Sequence, residues 1–224
     1  MGGRYPAQTV CGAVRMSTDT LTRLSIFPLP GAILFPRLRL PLHIFEPRYR
    51  AMVSDAIARD RRIAMIQPRA GGDMAGSPSL FELGCVGHID HVEALEDGRY
   101  NIILEGTALF RIVRELDVAT PFRQVEAEIL PVPELQTLDI ATRGALEQES
   151  RHFAEVQGYA VDWEGVSRLD DEALVNGIAQ IAPFDAAAKQ ALLEEASLSG
   201  RAELIMQLLR FFGRHDGDDR VTLQ

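Results

Sequence analysis

The sequence predicts an α+β protein, a small β barrel carrying one helix and followed by a bundle of helices. Between Leu83 and Leu130, four strand-like runs succeed one another with short connections containing Gly or Pro. Beyond Pro131 and Pro133 the apolar residues change to a helical period and keep it almost to the end of the chain. A sheet of this kind has one side to bury, and closure into a barrel buries it.

The elements follow in order. Residues 24–27 and 38–45 read as strands, the second with Leu38, Leu40, Leu42 and Ile44 on one face and Arg37, Arg39, Pro41 and His43 on the other. Pro41 marks an edge or bulged strand, because proline donates nothing to a ladder. From Pro47 the period changes: Tyr49, Met52, Val53, Ala56 and Ile57 predict a helix over 47–60, with Pro47 in its first turn. Residues 63–67 form a short strand and 68–79 a loop. The meander then comprises 83–95, 99–105, 108–116 and 122–130, with hairpin-type connections at Glu96-Asp97-Gly98, Gly106-Thr107 and Ala119-Thr120-Pro121. Gly84, Gly87, Gly98 and Gly106 read as bulge and turn glycines.

In the helical part, Leu138, Ala141, Ala145 and Leu146 begin a long helix reaching about Gln157, and 158–167 is a loop holding the single tryptophan, Trp163. Asp170 caps a helix that stops at Pro183, Asp185 caps another, and Ser199 opens the last, with Leu204, Ile205, Leu208, Leu209 and Phe212 on one stripe. The expected organisation is a tail over 1–20, a β domain over 21–132, a helical bundle over 133–214 and a second tail over 215–224.

Composition narrows the function. The chain has 224 residues and 46% hydrophobic content, enough for a substantial core, and no apolar run of membrane-spanning length. No signal-peptide pattern is present in MGGRYPAQTVCGAVRMSTDT, and Cys11 and Cys85 have no neighbours at metal-ligand spacing, so a reducing, cytoplasmic setting is expected. Residues 1–133 balance 15 acids with 15 bases; from Glu134 onward 17 acids face 8 bases, which places the whole net charge of −9 in the last part of the chain. Only Lys189 among the 23 basic residues is a lysine, and no basic patch is visible, which counts against nucleic acid as a partner.

Chemistry-bearing motifs are sparse. A P-loop needs Gly-Lys-Ser/Thr, and Lys189 follows Ala188. Gly87-His88-Ile89-Asp90-His91 is the one tight histidine cluster, with His43, His152 and His215 scattered elsewhere, and a solvated strand face explains it better than zinc. No Gly-x-Ser-x-Gly elbow occurs, and Cys85 and His88 fall on opposite strand faces. Glu46 stands at the strand-to-helix corner beside Pro47, Arg48 and Arg50. An ion pair fixing that corner is a better account of it than ligand contact. No metal, cofactor or catalytic residue is expected.

FPLPGAILFPRLRLPLHIFEPRYRAM, with LFELGCVGHIDHVEALEDGRYNIILEGTALFRIVREL after a loop, resembles the N-terminal substrate-binding domain of ATP-dependent Lon proteases, and most closely the stand-alone bacterial form of it. PFDAAAKQALLEEASLSGRAELIMQLL is similar to the helical extension that follows the β domain in that family. The resemblance implies a PUA-like pseudobarrel with one helix, then a bundle. It also implies a non-enzymatic polypeptide-binding or adaptor module, partnered by unfolded or extended polypeptide within a protease or chaperone system and without the family's ATPase and protease chemistry. The alternative is a PUA-like binder of nucleic acid or a small ligand. The expected contact surface is Phe35, His43, Phe45 and Tyr49, beside a proline-blunted edge where an extended peptide could add as a strand. The expected structural corner is Pro41, Glu46, Pro47 and Arg48.

Overall fold

The computed structural model describes residues 21–69 and 78–218. Cys11, with the rest of 1–20, lies outside the described residues, as do 70–77 and 219–224.

Six strands form one sheet: β1 (Thr22–Pro28), β2 (Arg39–Ile44), β3 (Arg62–Ile66), β4 (Leu83–Ala94), β5 (Tyr100–Leu116) and β6 (Gln124–Ile129), in the order β2-β5-β4-β3-β1-β6. The second half of β5 also pairs with β6, so five strands close into a ring. β2 is attached outside that ring, against the first half of β5, and is an edge strand. β1 and β3 are parallel, which requires a crossover; β2 and α1 (Pro47–Ala58) supply it. Both faces of β3 are buried. Ile63 and Met65 join a core with Phe27, Ile102 and Leu104, while Ala64 and Ile66 join another with Ile26, Phe110 and Val125. That double burial is why β3 reads as an apolar run rather than an alternation. α1 closes the first of these cores with Tyr49, Met52, Val53 and Ala56, each large side chain contributing about 1.5–3 kcal/mol by burial.

One connection expected as a hairpin is absent. Residues 99–105 and 108–116 belong to a single strand, β5, which continues through Gly106 and Thr107 with a shift of register there against Val86 and Gly87 of β4. Gly106 instead lets another segment cross: a Cβ there would overlap the Phe35 carbonyl oxygen. The crossing is held by Arg37 N–H donating to the Gly106 carbonyl at 2.8 Å and Gly106 N–H to that of Leu38 at 2.9 Å. Gly84 and Gly87 likewise sit in close quarters, Gly87 and Gly106 facing each other at the register irregularity between β4 and β5, as expected of bulge glycines, and Gly98 is the turn glycine, with φ +78°.

The helical part comprises α2 (Ile140–Gln157), α3 (Trp163–Ser167), α4 (Asp171–Ile181), α5 (Ala186–Glu194) and α6 (Leu198–Asp218). Asp139, Asp162, Asp170 and Asp185 cap the first four by accepting the N–H groups of Thr142, Gly165, Ala173 and Ala188. Three expectations change. α3 occupies what read as a loop, because Asp162 can cap a turn there. The last helix is opened by Ser197, whose hydroxyl accepts the Gly200 N–H, rather than by Ser199. Part of the expected C-terminal tail, to Asp218, continues that helix.

Barrel and bundle share a core in which Ile33, Phe35 and Leu83 pack with Leu146, Leu174, Leu192 and Ile205. Arg201 binds the Asn176 side chain and the carbonyls of Leu192 and Glu195, with its guanidinium 5.1 Å from the Phe35 ring centre. Arg37, held at φ +66°, reaches Glu172 and the Pro133 carbonyl. Lys189 donates to the carbonyls of Gly31 and Gln180.

Candidate functional site

The β2–α1 corner does not present the four expected contact residues as one surface. Phe35 is 1% exposed and belongs to the shared core, and Tyr49 is 6% exposed, its ring 4.3 Å from that of Phe27. Each packs into an apolar core and is covered by an arginine, Phe35 by Arg201 and Tyr49 by Arg48, so they act as packing residues. His43 and Phe45 remain on the surface, Phe45 at 61% exposure. Their rings stack at 6.2 Å, and His43 is held by Asn101 and Arg99. Glu46 precedes α1 without capping it through its side chain, and forms an ion pair with Arg48 at 2.9 Å. Exposed pairs of this kind contribute about 0–1 kcal/mol. Arg48 also covers the Tyr49 ring at 4.5 Å, and burial pushes the Tyr49 hydroxyl above its usual range, with Arg48 opposing the shift.

The β2 edge is poorly suited to strand addition. Pro41 pairs with Ile103 and has no N–H to offer, and the Arg39 carbonyl accepts from the Gln180 amide at 2.8 Å.

A second surface lies in the helical part. α2 and α4 start together, tied by Arg143 to Asp171 at 2.5 Å and by the Leu138 N–H to the same carboxylate at 2.8 Å. These donors hold the Asp171 carboxyl below the usual carboxylate range, the Leu138 N–H having the largest effect. Farther along the helices an apolar groove of about 580 Å³ opens. One wall is the end of α2 and the segment after it, with Tyr159, Val161, Trp163, Val166 and Leu169. The other is α4, with Ala173, Gly177, Ile178 and Ile181, and the floor is Phe153, Leu174 and Leu209.

Gly177 keeps this groove open. It sits inside α4, where glycine costs about 1 kcal/mol relative to alanine, and nothing lies within 4 Å of where its Cβ would be. Tyr159, Leu169 and Ile181 stand exposed on the rim, Ile181 at 81%. Such an apolar concavity of a few hundred Å³ suits the side chains of a bound chain. The sequence held a signal for it: Tyr159, Val161, Trp163 and Val166, in a stretch read as loop, had no assigned partner.

Polar groups in the groove are committed to structure. Glu147 pairs with Arg143 at 3.0 Å, and the Ser150 hydroxyl donates to the Leu146 carbonyl. Cys85 lies buried in the barrel, where burial pushes its thiol far above the usual range. Among the described residues no group of three His, Cys, Asp or Glu side chains could hold a metal ion, and no helix is long and apolar enough to cross a membrane.

Residues 23–210 match the model of the ATP-dependent protease La (LON) substrate-binding domain. Curated relatives include Lon protease 2 of Herpetosiphon aurantiacus, 27% identical over 185 residues, and Lon protease 2 of Myxococcus xanthus, 26% identical over 194. The alignments cover 80% and 83% of this chain but only 22% and 23% of those proteins. Among solved structures, the Lon N-terminal domain protein from Xanthomonas campestris is similar at a TM-score of 0.62 and 21% identity, covering 84% of this chain and 98% of that one. The N-terminal domain of a Mycobacterium avium complex Lon protease is similar at 0.64 and 17%, with the same coverage.

Proposed function

Because the chain belongs to the LON substrate-binding domain family, we propose that it is a non-enzymatic polypeptide-binding module that holds unfolded or extended segments for a protease or chaperone system. The observation that carries this reading is the apolar groove between α2, α3 and α4, held open by Gly177. In this reading the lobes divide at about residue 132. The β domain, 21–132, is a rigid support, and the bundle, 133–214, makes the contact. His43 and Phe45, on the β2–α1 corner, form an accessory contact rather than the main one.

The groove supplies what such a role requires and little else. Its apolar lining takes side chains without demanding a particular sequence, and the Ser150 hydroxyl and Glu147 carboxylate that line it are bonded to the Leu146 carbonyl and to Arg143. Affinity then comes from apolar area removed from water, about 25 cal/mol per Å² before the cost of ordering the bound segment.

Trp163 is the only tryptophan and lines the groove, so its fluorescence reports occupancy directly. Titration with an unfolded polypeptide that lacks tryptophan is expected to shift that emission with an affinity of tens of micromolar or better. Gly177→Leu fills the open space while improving helix propensity, and is expected to weaken binding at least about tenfold, roughly 1.4 kcal/mol. No binding at tens of micromolar, or a folded Gly177→Leu protein that binds like the wild type, would sink the proposal.

A further inference from the structure

One cation stands against the groove wall without a charge partner. Arg151, half-buried on α2, holds its guanidinium 4.4 Å over the ring of Trp163, and Trp163 lines the groove. Its neighbours at ion-pair spacing on the helix are both acids, Glu147 and Glu155. Arg151 pairs with neither among the described residues, and Glu147 is taken by Arg143 at 3.0 Å. The other arginines around it are engaged: Arg143 also with Asp171, Arg168 with Glu164, Arg210 with Glu149 and Arg201 with the Asn176 side chain.

A guanidinium carries five N–H donors, more than contact with one ring can occupy. Stacking on the indole also orders the side chain in advance, so a carboxylate that binds it side-on through two hydrogen bonds costs little further entropy. The acids next to the lining residues do not compete for it. Asp162 and Asp170 accept the N–H groups of Gly165 and Ala173 as helix caps. Along its wall Trp163 has Tyr159 and Val161 before it and Val166 and Leu169 after it, so the cation meets the middle of a bound segment rather than a chain end.

We infer that Arg151 makes the groove selective for apolar segments that carry an internal Asp or Glu: apolar side chains enter the groove while the acidic side chain binds the Arg151 guanidinium at the Trp163 wall. This rests on the polypeptide-binding reading above and adds the class of polypeptide. The net charge of −9 on the whole chain opposes an acidic segment from a distance. At physiological salt that repulsion is screened beyond about 8 Å, whereas the carboxylate meets the guanidinium at contact, where screening is weakest.

The test uses peptides without tryptophan that share one apolar core and have blocked ends, with glutamate, glutamine or lysine at one internal position. A fourth has glutamine there and a free terminal carboxylate. Each is titrated against the whole chain at physiological salt and followed by Trp163 fluorescence. The glutamate peptide is expected to bind at least about fivefold more tightly than the lysine peptide, with both glutamine peptides between. Arg151→Met keeps a side chain against the indole and removes the charge. It is expected to erase the order of the blocked peptides while changing the affinity of the blocked glutamine peptide by less than about twofold. Equal binding, a preference for lysine, a gain confined to the free terminal carboxylate, or an unchanged order in a folded Arg151→Met protein overturns the selectivity and leaves polypeptide binding standing. The wild-type order decides by itself if that variant does not fold. Failure of all four peptides to bind overturns both.

Discussion

Lys189 is 8% exposed, and its ammonium is satisfied by two backbone carbonyls, Gly31 at 3.1 Å and Gln180 at 3.0 Å, with no carboxylate paired to it among the described residues. Burial pulls its pKa below the ordinary 10.5. The folded protein therefore releases this proton at a lower pH than the unfolded chain does. Between the two values the unfolded state binds more protons, so stability rises with pH across that window. Tyr49 acts oppositely, because its raised pKa makes stability fall once pH passes the ordinary tyrosine value of 10.0. Comparing wild type with Lys189→Met by urea unfolding across alkaline pH isolates the lysine. The variant is expected to lack the rise toward 10.5, and superimposable profiles would refute the assignment. Arginine could not behave this way, since it stays charged throughout.

At the level of single elements, β5 shows what a glycine can conceal. Gly106→Ala would push a Cβ into the Phe35 carbonyl oxygen and to within 2.7 Å of its carbon, and backbone cannot step aside as a side chain can. The expected loss is about 2 kcal/mol or more in denaturant unfolding, and a loss below about 0.5 kcal/mol would mean that the crossing is loose. The same position explains where reading the sequence stopped working. Alternation in β2 correctly assigned Leu40, Leu42 and Ile44 to the buried side, because period-two patterning is a local property of the strand. Gly106-Thr107 looked like a turn because the segment it accommodates, Phe35 to Leu38, is about seventy residues away and leaves no local trace. Asp170 and Asp185 were legible as caps, since a cap needs only its own helix. The groove was not, because its walls come from a segment read as loop and from a helix whose Gly177 carries meaning only opposite that segment. Phe35 and Tyr49 were read as contacts for a related reason: aromatic residues beside prolines look alike whether they face solvent or a second lobe.

For the whole molecule, the shared core decides whether barrel and bundle are separable. Phe35 packs under Arg201 and among bundle leucines, while the main chain following it is bonded to β5. Phe35→Ala is expected to cost about 3–5 kcal/mol and to destabilise both lobes together. In the wild type, Trp163 fluorescence from the bundle and far-ultraviolet circular dichroism from the whole chain are expected to give coincident unfolding transitions. Two separated transitions would show instead that the bundle unfolds independently of the barrel.

The Pro41 edge matters most in the company this protein is proposed to keep. A module that repeatedly meets unfolded chains at high local concentration risks acting as a seed, because any open ladder can recruit the next extended segment and pass the pattern on. Here the exposed margin lacks one donor at Pro41 and has one acceptor already occupied by Gln180. Clients can be gripped by their side chains in the groove without being enrolled into the sheet, and whatever is held can still be let go.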